Sequence, residues 1–318
     1  MILSVTPNTG LDRVLFVEHL ALGKTIRAHD DTWGMGGKTT DASLVLGELD
    51  EPNIATGFAA GETGARMVRM LEQHPATTCD FVWVDGETRT NYVLIDTAQR
   101  GQCTITVSGL RVRSDHVDQL TELVRRSLSG VACVMMGGSL PQGAPPRLYA
   151  DLIRLCHSSN VPVILDASGP AFREGVSALP TVLKPNLDEL QDLVGRELGS
   201  PQEVLRAARE LVALGIELVV ATLGAEGLWA VSQSQIIHIP ALPITPVNTA
   251  GAGDALVAGI AAGIARGWAW REGLRLGVAA AGAVCLTPGT AVCRRSDVER
   301  LVPQVEVVDG AAGREFAE

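Results

Sequence analysis

Aromatic side chains are scarce in this chain, 4% of 318 residues against 46% apolar residues overall. An interior filled by Ala, Val, Leu and Ile suits helices packed on buried parallel strands, so the composition points to an α/β protein. The six cysteines, Cys79, Cys103, Cys133, Cys156, Cys285 and Cys293, form no C-x-x-C pair. That excludes a zinc site of the usual spacing and gives no disulfide framework, and the cysteines read as reduced core residues of a cytoplasmic protein. Positive charge is also in deficit: 26 Lys and Arg against 36 Asp and Glu leave a net charge of -10. Such a surface repels polyanions, which excludes a general nucleic-acid or membrane-surface binder. A small anionic ligand needs only local cations, and Lys24, Arg27, Lys38 and Arg89 are candidates. No basic segment precedes an apolar stretch at the start, where Met1 to Val5 reads as a first core strand. The most apolar later stretch, Ala255 to Leu286, is broken by Arg266, Arg271, Glu272 and Arg275, so no membrane span is expected. Neither repeats nor low-complexity linkers divide the chain. One domain over residues 1–309 is expected, with residues 310–318 as a fraying tail.

What is present is a rhythm. Strand-length apolar runs at Ile2 to Val5, Val131 to Met136, Val161 to Leu165 and Leu218 to Ala221 alternate with helix-period stretches such as Pro145 to His157 and Pro201 to Leu214. Parallel crossovers and a doubly wound, mostly parallel sheet flanked by helices follow. Residues from about 13 to 33 and from about 88 to 107 depart from this rhythm, alternating polar and apolar positions and rich in Thr and Val. They are expected to form a small β-sheet lid inserted in two pieces; two surface hairpins without function are the plainer alternative.

The sharpest local signal is Asn248-Thr249-Ala250-Gly251-Ala252-Gly253-Asp254 ahead of a run of small, helix-forming residues. Glycines before a helix let backbone N–H groups converge on an anion at the positive end of the helix dipole. A carboxylate within such a cradle repels the anion unless it has a task, and accepting a proton from an attacking hydroxyl is the obvious one. Alternatively, Asp254 is a helix cap and the glycines a tight turn. Other phosphate motifs fail on spacing. Thr32 stands where a Walker A loop ending at Lys38-Thr39 needs glycine, and Leu256 where a dinucleotide fingerprint needs its third glycine. Gly137-Gly-Ser139-Leu-Pro141 is not G-x-S-x-G.

Further motifs stand in a fixed order: Val5-Thr-Pro-Asn8-Thr-Gly-Leu11-Asp12, Gly36-Gly37-Lys38, Arg89 with Asn91, Gly138-Ser139-Leu-Pro141, and Lys184-Pro-Asn186-Leu-Asp-Glu189. Thr222-Leu-Gly224-Ala-Glu-Gly227, the Asn248 to Asp254 element and Pro288-Gly-Thr290 complete the series. From Val5 to about Val302 the chain resembles the PfkB, ribokinase-like carbohydrate kinases, and among them the 1-phosphofructokinase and tagatose-6-phosphate kinase branch. The resemblance implies a kinase using ATP and Mg²⁺, a sugar or sugar phosphate as partner, and a homodimer joined through the lid.

It also implies roles. Asp254 is the base, and Gly251, Ala252 and Gly253 cradle the transferring phosphoryl group. Asp12 accepts sugar hydroxyls, Gly36 and Gly37 admit the ring to the backbone, and Asn91 and Ser139 join the substrate site. Lys38 and Arg89 meet a substrate phosphate, the latter as a bidentate fork. Lys184, Asn186, Thr222, Gly224 and Gly227 flank the nucleotide, while Asn186 and Glu189 hold Mg²⁺ mostly through water. Taken singly, Asp12 is equally a turn residue, Lys38 and Glu189 solvated helix charges, and Arg89 a lid ion-pair partner.

The departures bear on substrate choice. The family expects G-G-K-G-x-N where this chain has Gly36-Gly37-Lys38-Thr39-Thr40-Asp41. Thr39 adds a side chain beside the sugar site, and Asp41 puts a carboxylate in place of an amide. The segment Arg100-Gly-Gln-Cys-Thr-Ile lacks the acidic, Asn-containing turn of the branch. A ketohexose phosphate of the fructose 1-phosphate, fructose 6-phosphate or tagatose 6-phosphate type is the expected acceptor. An unphosphorylated sugar is the rival, with Asp41 binding a hydroxyl, and a non-catalytic sugar- or nucleotide-sensing pseudokinase is the reading outside enzymology.

Overall fold

The computed structural model describes residues 1–99 and 101–310. The large sheet has a parallel centre in the spatial order Thr77–Cys79, Asn53–Ala59, Ile2–Thr6, Cys133–Gly138, Val163–Ala167, Val182–Leu183 and Leu218–Thr222. Val82–Trp83 extends the pairing of Asn53–Ala59. Beyond Leu218–Thr222 the sheet turns antiparallel through Leu228–Ser232, Ile236–Ile239 and Val308–Asp309, an edge the apolar runs did not announce.

Each central strand is buried on both faces, and its residues divide by period two. Leu3, Val5, Val134, Met136, Val163 and Leu165 pack under the helices Ser114–Ser127, Leu148–Ser158 and Pro201–Ala213. Ile2, Cys133, Met135 and Ile164 pack under Lys38–Glu48, Ala252–Ala265 and Trp270–Cys285. The chain moves outward in one direction from Ile2–Thr6 through Asn53–Ala59, then returns to Cys133–Gly138 and moves the other way. The strand order therefore reverses between Ile2–Thr6 and Cys133–Gly138, and the carboxyl ends of these strands open the crevice in which α/β sheets bind ligands.

Two of the expected strands are displaced by two residues, beginning at Cys133 and Val163 rather than Val131 and Val161. Val131 and Val161 are apolar because they pack on the core from the entering turns. Gly137, Gly138 and Asp166, which ended the hydrophobic pattern, are paired in the ladder. The helix expected from Pro145 starts at Leu148, after a turn closed by the Leu148 amide donating to the Pro145 carbonyl.

The lid is a separate four-stranded sheet in the order Ala28–Gly36, Gly10–Val17, Arg89–Asp96, Gly101–Ile105. Gly10–Val17 pairs antiparallel with Ala28–Gly36 and parallel with Arg89–Asp96. The first strand starts before residue 13 and its partner runs to Gly36, so the lid is rooted in the substrate-site motifs. Its inner face carries Val14, Phe16, Val93 and Ile95, a small apolar cluster that packs against Ala250. At its edge the Gln102 side-chain oxygen accepts from the Thr249 amide at 3.2 Å and hydroxyl at 3.1 Å.

All six cysteines are free, and Cys133, Cys156 and Cys293 are core residues as expected. Cys103 is not: it is exposed, in the outer lid strand, where alternation rather than burial set the local apolar pattern. Among the described residues no helix is long and apolar enough to cross a membrane. Of the expected C-terminal tail only Gly310 is described, its amide donating to the Ile236 carbonyl at 2.9 Å; residues 311–318 and Arg100 lie outside the described residues.

Candidate active site

The strand ends deliver the polar groups. Asp166, next to last in Val163–Ala167, is almost fully buried and faces two ammonium groups: Lys38 Nζ at 2.5 Å and Lys184 Nζ at 3.0 Å. Lys38 Nζ also lies 3.1 Å from Glu189 Oε1. Burial works against the Lys38 charge, but Asp166, Glu189 and Asp254 outweigh it and hold the ammonium above its ordinary range. Lys38 is thus the hub of a carboxylate cluster, which differs from its expected place on a substrate phosphate. Asp166 escaped the sequence reading, although a carboxylate closing the apolar run Val161 to Leu165 is the signal that would have found it.

Asn186 and Glu189 form a reciprocal cap on the helix Leu187–Val194. The Asn186 side chain accepts from the Glu189 amide at 2.8 Å, and Glu189 Oε2 accepts from the Asn186 amide at 2.9 Å. The N-x-x-E spacing is therefore also a capping box, and it aims the Glu189 carboxylate at Lys38. Among the described residues no group of three or more His, Cys, Asp or Glu forms a ready metal cage. The Glu189 carboxylate beside Asn186 fits a hard cation that keeps most of its water and leans on phosphate oxygens.

The glycine-rich turn is held from both sides. Asn248 accepts from the Ala250 amide at 2.9 Å and donates to the Pro288 carbonyl at 3.0 Å. Gly251 follows with φ +85°, and a Cβ there would stand 2.5 Å from the Ala291 amide nitrogen, so both conformation and space require glycine. The helix Ala252–Ala265 starts here, with Asp254 in its first turn. Asp254 keeps part of its surface open to the site, while protein on the other sides strips its water. That desolvation, with the charge of Asp166, pushes its carboxyl up to about 7 against the opposing pull of Lys38, Lys184 and a hydrogen bond with Asp41.

Beside this turn lies a cavity of about 720 Å³. Leu228, Ile239, Leu242, Ile244, Leu256 and Val278 supply apolar walls, and Asn186, Thr222, Gly224, Gly227, Ala252 and Gly253 line its remaining rim. A volume of this size with few polar groups suits a nucleotide base and ribose.

The opposite side is built by the lid roots. Asp12 Oδ1 accepts from Asn91 Nδ2 at 2.9 Å, and Asn91 in turn accepts from the Val107 amide at 3.2 Å. Burial raises the Asp12 carboxyl, against the stabilising hydrogen bonds of Asn91 and Thr290 and the charge of Arg89. A Cβ on Gly36 would lie 2.7 Å from Asp12 Oδ1. Gly36 makes room for the Asp12 carboxylate, a closer constraint than the expected approach of a sugar ring. Arg89 donates to the Asn8 carbonyl at 3.2 Å, and its buried Nε has no protein partner. Ser139 accepts from Asn8 Nδ2 at 2.9 Å, joining the end of Cys133–Gly138 to the connection between Ile2–Thr6 and Gly10–Val17. Tyr149 pins that strand end, its hydroxyl reaching the Gly137 and Gly138 carbonyls at 2.6 and 3.0 Å. Lys24 and Arg27 stand exposed on the lid connection, outside this cluster.

Thr39 does not obstruct the site. Its side chain turns inward, and its hydroxyl donates to the Val5 carbonyl at 2.8 Å and lies 2.6 Å from the Thr6 hydroxyl. Asp41, one turn into the helix Lys38–Glu48, is buried within reach of Asp254 and Asp12.

An apolar cavity beside a glycine-built helix terminus, and a cluster of buried polar residues at the lid roots, suit a phosphotransferase with an alcohol acceptor. Residues 8–297 match the family described as pfkB family carbohydrate kinase, and the chain belongs to that family. It is 34% identical over 308 residues to a 1-phosphofructokinase of Haloferax volcanii, covering 96% of this chain and 98% of the relative. An ATP-dependent 6-phosphofructokinase isozyme 2 of Mycobacterium tuberculosis is 31% identical over 300 residues, 94% of this chain and 88% of that one. The crystal structure of phosphofructokinase-2 from Escherichia coli in complex with substrates and products superposes with a TM-score of 0.89 at 27% identity, covering 96% of this chain and 99% of the other. The fold is the ribokinase-like one: a large, mostly parallel sheet with helices and a separate four-stranded lid.

Proposed function

We propose that this carbohydrate kinase transfers the γ-phosphoryl group of ATP to a primary hydroxyl of a ketohexose phosphate of the fructose 1-phosphate, fructose 6-phosphate or tagatose 6-phosphate type, with Asp254 as general base. The observation that carries the reading is the position of Asp254. It sits in the first helical turn, next to Ala252 and Gly253 on the wall of the 720 Å³ cavity and within reach of Asp41, which in turn lies near Asp12 and Arg89, and its carboxyl is raised to about 7. A base with that affinity for protons is matched to accepting a hydroxyl proton near neutral pH. The names of the relatives, 1- and 6-phosphofructokinases, support the acceptor class.

The nucleotide lies in the apolar cavity with its phosphates toward the amides of Gly251, Ala252 and Gly253. Mg²⁺ held near Glu189 and Asn186 neutralises phosphate charge when bound. Asp12 accepts hydrogen bonds from acceptor hydroxyls, and Arg89, with an unpartnered Nε, is the cation left for a substrate phosphate. Lys38 and Lys184 hold Asp166 and set the charge around the transferring group. Because Lys38 is engaged by Asp166 and Glu189, one cation of the expected phosphate clamp is already paired. That pairing favours, as a second reading, a kinase of an unphosphorylated sugar.

ADP release with ATP and Mg²⁺ against a panel of ketose phosphates, free ketoses and nucleosides tests both readings. Turnover confined to ketose phosphates is expected, turnover confined to free sugars selects the second, and none with any member defeats both. The outer lid face, where Tyr92 and Ile105 are exposed, supports a homodimer joined through the lids. Light scattering at micromolar concentration is expected to give twice the chain mass; a monomer ends this part of the reading.

A further inference from the structure

Asp41, one of the residues that depart from the family pattern, is buried beside the Asp254 carboxylate. It starts from the first turn of Lys38–Glu48, a helix that converges with Ala252–Ala265 on the same face of the sheet. Its carboxyl lies within hydrogen-bonding reach of Asp254, and its Oδ1 is buried without a partner. Two carboxyls in such contact cannot both ionise at low cost, and a single proton between them turns repulsion into a hydrogen bond.

The groups facing the pair come from every neighbouring element. Asp12 on Gly10–Val17 and Arg89 on Arg89–Asp96 act on Asp41; Asp166, Lys38 and Lys184 act on Asp254. The two ammonium groups lie on the Asp254 side, so the negative charge of the pair settles there and the proton on Asp41. Burial, then the charges of Asp254 and Asp12, raise the Asp41 carboxyl well above its ordinary range against the pull of Arg89.

We propose that Asp41 is a positioning residue that works as a carboxylic acid: it donates its proton to the Asp254 carboxylate, orients the base, and loses this role when that proton is lost. This rests on the reading of Asp254 as base. In the transfer, the acceptor oxygen bonds to the γ-phosphorus as the bond from that phosphorus to the leaving oxygen of ADP breaks. The hydroxyl proton passes to Asp254 and leaves to solvent after product release, and Asp41 keeps its own throughout. An amide at position 41 would donate at every pH, so the substitution of carboxyl for amide adds a pH dependence to an otherwise similar hydrogen bond.

The test is the pH profile of kcat/KM, with the ketose phosphate or sugar that the panel identifies, for the wild type, Asp41→Asn and Asp41→Ala. In the wild type kcat/KM is expected to rise as the Asp254 carboxyl loses its proton and then to fall by about tenfold or more on the alkaline side of its maximum, a limb that shrinks to less than about threefold in Asp41→Asn. Asp41→Ala, without a donor, is expected to lose about tenfold or more in kcat relative to Asp41→Asn at every pH. Superimposable wild-type and Asp41→Asn profiles, or an alanine variant as active as the asparagine one, would overturn the inference. If Asp41→Ala fails to fold, the two remaining profiles still decide. Asp254→Asn run beside them separates the two readings: retained turnover removes the base itself, whereas its loss with an unmoved Asp41→Asn profile removes only the role of Asp41.

Discussion

The donor and acceptor sides of the site are built on opposite plans. On the donor side one contiguous segment, Asn248 to Ala265, supplies the turn, the helix terminus and the proposed base, braced by Asn248 and packed against the helix Trp270–Cys285. On the acceptor side Asp12, Gly36, Asp41, Arg89 and Ser139 come from five separate segments, four of them at the roots of the lid or on the helix that follows it. A contiguous unit can hold its geometry through local bonds. An assembled pocket depends on tertiary pairing such as Asp12 with Asn91, so single residues in it can change and alter the acceptor while the phosphoryl-transfer unit stays intact.

The sharpest way to break this contrast is to remove the chemistry of the donor side alone. Asp254→Asn is expected to lower kcat by at least about a hundredfold with ATP affinity nearly unchanged, because general base catalysis contributes 10²–10⁴-fold. Single-turnover assays beside nucleotide binding measure both halves, and near-normal kcat would mean that the contiguous segment binds without supplying the base.

On the acceptor side the expected effect is smaller and substrate-dependent. Arg89→Ala is expected to raise KM for a phosphosugar more than about tenfold, the loss of a charge-assisted hydrogen bond of about 1.5–3 kcal/mol, and to change a free sugar little. Equal impairment of both would show that Arg89 serves the pocket only through its bond to the Asn8 carbonyl.

The same contrast governs what could be read from the sequence. The parallel core, the two-piece lid and the Asn248 to Asp254 element were legible because each is a local pattern: period-two burial, polar alternation, glycines before a helix. The commitment of Lys38 to Asp166 and Glu189 was not, since the two carboxylates are 128 and 151 positions from the lysine and meet it only through the sheet order. The direction of the Thr39 side chain was hidden for the same reason: it depends on the packing of Lys38–Glu48 against Ile2–Thr6. The antiparallel edge carried no distinguishing signal, because its strands are as apolar as the parallel ones.

A backbone test of the donor side comes next. Gly251→Ala puts a methyl group at φ +85° against the Ala291 amide, and is expected to cost about 1–3 kcal/mol of stability, with raised KM for ATP. Thermal unfolding with and without nucleotide reads it; an unchanged melting temperature would mean that the turn is softer than its bracing by Asn248 and Pro288 implies.

The smallest effect concerns the stability of the unliganded protein and brings both sides together at Asp41 and Asp254. Both carboxyls are raised from the ordinary value of 3.8, Asp254 to about 7. Between 3.8 and their folded-state values the native protein keeps protons that the unfolded chain has released, so each carboxyl makes stability fall as pH rises through that window. Asp41→Asn removes one of the two titrations and the repulsion that drives it. Its melting temperature is therefore expected to exceed that of the wild type by a margin that is smallest near pH 4 and grows toward pH 7 and above. Thermal unfolding in low-salt buffers across that range measures the margin. A constant difference, or one that shrinks with rising pH, would mean that Asp41 is ionised in the folded protein and that the acceptor pocket carries its charge openly.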